Sequence, residues 1–108
     1  MTPEALAIVL TTVAASADAD TIARALVEER LAACVNVLPP MTSTYRWKGV
    51  VEQEREQQVV IKTSRARIAA LHARLAELHP YELPEFVVLD ASGSEAYSRW
   101  VHDSVKSH

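Results

Sequence analysis

At 108 residues, 49% hydrophobic and 23% charged, the chain has material for one core but not two, and a single domain over 1–108 is expected. A formal net charge of -3 and a pI near 5.8 exclude a broad basic surface for nucleic acid or anionic membrane. The one cysteine, Cys34, excludes an intramolecular disulfide. The apolar run near the amino terminus lacks a basic flank and is too short to span a bilayer, so a cytoplasmic location and no membrane partner are expected.

Ala5 to Val13 is a near-continuous apolar run rich in β-branched residues, the pattern of a strand buried on both faces. Ser16, Asp18 and Asp20 offer helix caps. From Ala19 the positions Ile22, Ala23, Leu26, Val27 and Leu31 recur at helical spacing, which predicts a helix ending near Ala33. Cys34 to Leu38 reads as a short strand, and Pro39-Pro40 predicts a kink or bulge.

Thr42 to Thr63 reads as a hairpin turning at Lys48-Gly49. From Val50 to Thr63 no Gly, Pro, Asn or Asp interrupts its second strand. Fourteen such residues span roughly 46 Å, whereas a domain of this length has a radius of gyration of about 13 Å. The ribbon should overhang its own domain and needs a partner, so an oligomer held by the 42–63 hairpin is expected. Alternation places Tyr45, Trp47, Glu52, Glu54 and Glu56 on one face and Thr42, Thr44, Arg46, Gln53 and Arg55 on the other.

Ser64 can cap a second helix with core positions Ile68, Leu71, Leu75 and Leu78, ended by Pro80. His79 to Pro84 forms a stiff loop, Glu85 to Asp90 a last strand, and Ser92 or Ser94 the cap of a terminal helix. Tyr97, Trp100, Val101 and Val105 share one stripe of that helix. The order β-α-β-β-α-β plus a helix is the α+β, ferredoxin-like split arrangement: a four-stranded antiparallel sheet with two helices on one face.

Candidate metal ligands are His72, His79, His102, His108 and Cys34, without a close histidine pair. Cys34 reads as a small buried hydrophobe, with soft-metal binding as the alternative. Glu52, Glu54 and Glu56 form either a ladder for a hard cation or a solvated face salt-bridged to Arg46, Arg55 or a neighbouring subunit. No nucleophile–base set, phosphate-cradling glycine loop or hydrolase metal spacing is present, so no enzyme is expected. The two central strands lack the aromatics that stack RNA bases.

Five segments together resemble the CutA family of divalent-cation tolerance proteins: Arg30 to Asn36, the Thr42-Ser-x-Tyr45-x-Trp47-x-Gly49 run, Glu56 through Lys62-Thr63, His79-Pro-Tyr81-x-x-Pro84-Glu85, and Tyr97-x-x-Trp100. The resemblance implies a homotrimer with long hairpins reaching between subunits, in the cytosol, linked to tolerance of copper and other divalent metals. Family members with proposed copper ligation carry a cysteine near the end of the first strand and a second histidine before the His-Pro-Tyr motif. Those positions here are Thr11 and Leu78, which leaves His79, either as a Cu2+ or other divalent-cation ligand or as a loop histidine bonded into a subunit cleft. The trimer also resembles that of the PII signalling proteins, which implies an inter-subunit cleft for a small anionic ligand or a partner protein. Tyr45, Trp47, Glu56, Lys62, His79, Tyr81 and Trp100 are the candidates for it, and no cofactor is required.

Overall fold

A computed structural model describes residues 6–79 and 81–106 of the protein. Ala5, Pro80 and His108, which enter the sequence expectations, lie outside the described residues. The elements are β1 (Leu6–Ala14), α1 (Ala19–Glu28), β2 (Cys34–Val37), β3 (Met41–Trp47), β4 (Val50–Ser64), a 3-10 turn (Arg65–Arg67), α2 (Ile68–Leu78), β5 (Val87–Ala91) and α3 (Glu95–Ser104). The fold class is the expected α+β one. The antiparallel sheet runs β2-β4-β1-β5, with β3 also paired to β4. It has five strands rather than four because the Pro39-Pro40 pair divides β2 from β3. Val37 is opposite Val59 and Met41 opposite Glu56. Three residues lie between Val37 and Met41 where two lie between Glu56 and Val59, which is a bulge at the prolines.

The β1–β4 and β2–β4 registers place Val9, Ile61 and Val35 on one face, and the β1–β5 register adds Val88. Leu26 of α1 and Leu71 and Leu75 of α2 pack there into the main core. Helix α3 covers the end of the opposite face, where Val101 and Val105 meet Leu6 and Ala91. Tyr97 and Trp100, expected on the same stripe, remain outside, Trp100 at 48% exposure. The rest of that face keeps Val87 and Leu89 exposed and Ile8, Leu10 and Val60 only partly covered.

Two helix ends differ from expectation. Helix α1 stops at Glu28, not near Ala33, because Arg30 adopts φ 61°. The Leu31 amide then donates to the Leu26 carbonyl and the Arg30 amide to Val27, a Schellman closure with arginine where glycine is usual. Leu26 and Leu31, both core residues, supply its apolar contact. Ser64 ends β4 and makes no side-chain cap, and α2 starts only after the 3-10 turn. Asp18 and Ser94 do cap their helices, accepting from the amides of Thr21 and Tyr97.

The hairpin turns as expected: Lys48 (φ 51°) and Gly49 (φ 82°) are both left-handed between Trp47 and Val50, as a two-residue type I′ connection requires. Only β3 accompanies the first half of β4, since β1 reaches no further than Ala14 opposite Glu56. The molecule is accordingly 49 Å long and 23 Å across. The arm overhangs the body.

Candidate functional site

The hairpin register puts Trp47 with Val50, Tyr45 with Glu52, Ser43 with Glu54 and Met41 with Glu56, all on one side of the ribbon. Facing that side, the 81–85 loop closes a cleft of about 990 Å³ lined by Tyr45, Trp47, Tyr81 and five glutamates: Glu52, Glu54, Glu56, Glu82 and Glu85. Among the described residues Arg46 is the one cationic side chain in the lining. Negative charge and aromatic walls define its chemistry.

At the root of the cleft, Glu56 is 7% exposed, and its Oε2 accepts from the Tyr81 hydroxyl at 2.9 Å. Tyr81 holds its proton well above the usual tyrosine range. Burial is the largest cause, followed by the hydrogen bond to Glu56 and the charges of Glu56 and Glu54. The Tyr45 phenol is raised too, first by desolvation and then by Glu54. Behind Tyr81, their rings in edge contact at 4.6 Å, His79 is also 7% exposed.

The His79 Nδ1 accepts from the Tyr81 amide at 3.2 Å, and Nε2 donates to the Thr12 carbonyl. A carbonyl can only accept and an amide can only donate, so the two contacts fix the Nε2–H tautomer. Gln58 completes the anchorage, donating to the Thr11 carbonyl at 2.6 Å and to Glu85 at 2.9 Å. The loop is thus tied to β1 and β4, and both ring nitrogens of His79 are engaged in tying it.

Of the expected cleft residues, Tyr45, Trp47, Glu56 and Tyr81 converge, with His79 as their support. Lys62 and Trp100 do not join them within one chain. Lys62 shares the Glu56 face of β4 but stands six residues on, roughly 20 Å away. Cys34 lies opposite Lys62 and is partly buried. His72 stacks on Phe86 with ring centroids 4.3 Å apart. Among the described residues no three His, Cys, Asp or Glu side chains group to hold a metal ion.

Copper at His79 would have to displace the Thr12 or Tyr81 contact, and Cys34 is too distant to assist, so these donors do not form a tight site in one chain. Sequence reasoning missed Glu82, Glu85 and Gln58. Alternation already put Gln58 on the Glu56 face, and the two prolines flanking Tyr81-Glu82-Leu83 marked a loop stiff enough to present its carboxylates.

A family model described as "CutA1 divalent ion tolerance protein" matches residues 7–104. The chain is 46% identical to the divalent-cation tolerance protein CutA of Thermus thermophilus over 98 residues, which cover 90% of this chain and 95% of that one. It is 44% identical to the mouse protein CutA over 90 residues, 82% of this chain, and spans about half (51%) of that longer protein. A solved structure of the divalent cation tolerance protein from Thermus thermophilus superposes with a TM-score of 0.89 at 44% identity, covering 94% of this chain and 99% of that one.

Proposed function

Because the chain belongs to the CutA1 divalent ion tolerance family, we propose that it works as a cytoplasmic homotrimer in the tolerance of divalent metal ions, copper among them. The acidic cleft carries this reading: five carboxylates and one guanidinium line it, so its field draws cations in. Contact with a metal ion is weak, since the carboxylates are spread along β4 and the 81–85 loop and, among the described residues, are not gathered into a cage. A small anionic ligand finds the wrong charge here. The chain is read as a binding and response protein rather than an enzyme, and it needs no resident cofactor.

Assembly is supported by the overhanging arm, whose β3 is paired on one edge only, and by the uncovered sheet face carrying Val87 and Leu89. In the trimer the cleft lies between subunits. Calorimetric titration of Cu2+ into the purified protein tests the metal reading. The expected result is a weak heat that persists in His79→Ala and shrinks in Glu54→Gln; loss of heat in His79→Ala alone returns the site to the loop histidine. Sedimentation equilibrium tests the assembly, and a monomer at micromolar concentration overturns it.

A further inference from the structure

Among the described residues, Glu56 and Lys62, at the two ends of the body part of β4 and on one face of it, lack a counter-charge, as do Glu52 and Glu54 further out on the arm. Glu56, 7% exposed, has the Tyr81 hydroxyl as a hydrogen-bond partner, but no cation pairs with it among the described residues. Lys62, on the same face and partly buried between Cys34 and Ile8, has no ion pair among the described residues either. The ion pairs that do form join Arg24–Glu28, Arg65–Asp90, Arg74 with Glu29 and Glu77, and Arg99–Glu95, all elsewhere. A buried charge is costly unless paired. The strand itself holds Glu56 and Lys62 roughly 20 Å apart, so no side-chain rotation joins them.

On that face Gln58 and Val60 lie between them: Gln58 is tied to the Thr11 carbonyl and Glu85, and Val60, between Leu10 and Asn36, belongs to an apolar patch with Val87 exposed beside Leu10. We propose that a second copy of this chain covers that face head to tail and sets its Lys62 ammonium against Glu56 of the first. Lys62 of each subunit thereby completes the cleft of its neighbour. The inference rests on the homotrimer reading and adds the residue that crosses the interface. A heterologous contact of this kind uses one lysine surface and one cleft per subunit and closes into a ring. It also gives Lys62 a role that a solvent-reaching lysine on an apolar strand does not have.

A double-mutant cycle on trimer dissociation, read by sedimentation velocity over a dilution series, tests the pairing. Lys62→Met keeps the stem without the charge, and Glu56→Gln keeps an acceptor for the Tyr81 hydroxyl. Each single change is expected to weaken the trimer about tenfold or more, and the double to be no weaker than the worse single. Additive losses, or none, overturn the pairing while the wild-type trimer stands; a wild-type monomer overturns the trimer reading itself.

Should a variant not fold, the native protein supplies a second test. A water-soluble carbodiimide condenses a carboxylate with an amine in contact. The chain has three lysines, Lys48, Lys62 and Lys106. In trimers mixed from light and isotope-labelled subunits, a Glu56–Lys62 amide joining different chains is expected. A trimer cross-linked only through Lys48 or Lys106 overturns it.

Discussion

The two halves of β4 lie in one continuous strand and live in different surroundings. From Glu56 to Ser64 the strand is paired with β1, and from Val59 to Lys62 with β2 on its other edge, and Val59, Ile61 and Thr63 are fully covered by the core. From Val50 to Arg55 it has β3 alone for company, and every side chain except Glu52 is exposed, Val51 at 60%. Hydrogen bonding continues through both halves, on both edges in the middle of the inner half and on one edge in the outer, and burial follows the same division. On its core face the inner half is held by its own chain. The outer half has an open edge and unpaired charges, the features of a surface that meets another subunit.

The largest test of that contrast sets one apolar residue of each half against the other. Ile61→Ala should cost about 2–5 kcal/mol by urea denaturation at fixed protein concentration, because the side chain is fully enclosed. Val51→Ala should stay within about 0.5 kcal/mol if the arm is solvated. A Val51 loss approaching that of Ile61 would show a neighbour burying the outer half.

The junction of the halves is Glu56, and Tyr81→Phe probes it next. Removing the hydroxyl leaves the buried carboxylate without that partner, an expected loss of about 1.5 kcal/mol at neutral pH. The pH dependence has a definite sign. The folded state raises the Tyr81 pKa, through burial first and Glu56 second. Below about pH 10 the phenol is neutral in both states and its contribution is whole. Above that the unfolded chain gives up the proton first, so stability falls as pH rises toward the folded value. Tyr81→Phe should flatten this alkaline limb, leaving the part due to Tyr45; an unchanged limb would separate the phenol from the stability of the cleft.

The body and the arm were unequally legible in the sequence. A continuous apolar run marked β1, and apolar periodicity marked α1 and α2, because burial in a single chain is what such patterns record. The end of α1 was not legible, since Arg30 takes a left-handed conformation that composition assigns to glycine. In the arm, alternation gave the faces and Lys48-Gly49 the turn, both local properties. Convergence of Tyr81 on Glu56 is a contact across 25 residues of sequence, and only the loop's tie to β1 through His79 brings it about. Lys62 was expected at a cleft between subunits, and within one chain it stands six residues, roughly 20 Å, along the strand from Glu56, a separation that the sequence spacing already carries.

Gly49→Ala acts on the arm alone and should cost about 1 kcal/mol or less. A Cβ there would meet nothing within 4 Å, so the whole cost is the positive φ of 82°. The expected signature is a weaker trimer with the core transition of the body little changed. A fall in body stability equal to that of Ile61→Ala would mean that arm and core do not behave as separable regions.

The one change of opposite sign belongs to the inner half's partner strand. Thr11, opposite Val59 on the core face of β1, is 1% exposed, and its hydroxyl has no hydrogen-bond partner among the described residues. A buried hydroxyl without a partner lowers stability by its lost hydration. Val59 stands opposite the position in register, with Val37 beyond it on the same row, so a second methyl group meets an apolar neighbour. Thr11→Val should therefore raise stability by about 1 kcal/mol in the same denaturation assay, the reverse sign of every other change. The Thr11 carbonyl accepts from Gln58 and is backbone, so the substitution leaves the loop's anchorage in place. A destabilised Thr11→Val would show that the hydroxyl is bonded in the assembled protein and would move Thr11 from the core of one chain to the groups that a neighbour completes.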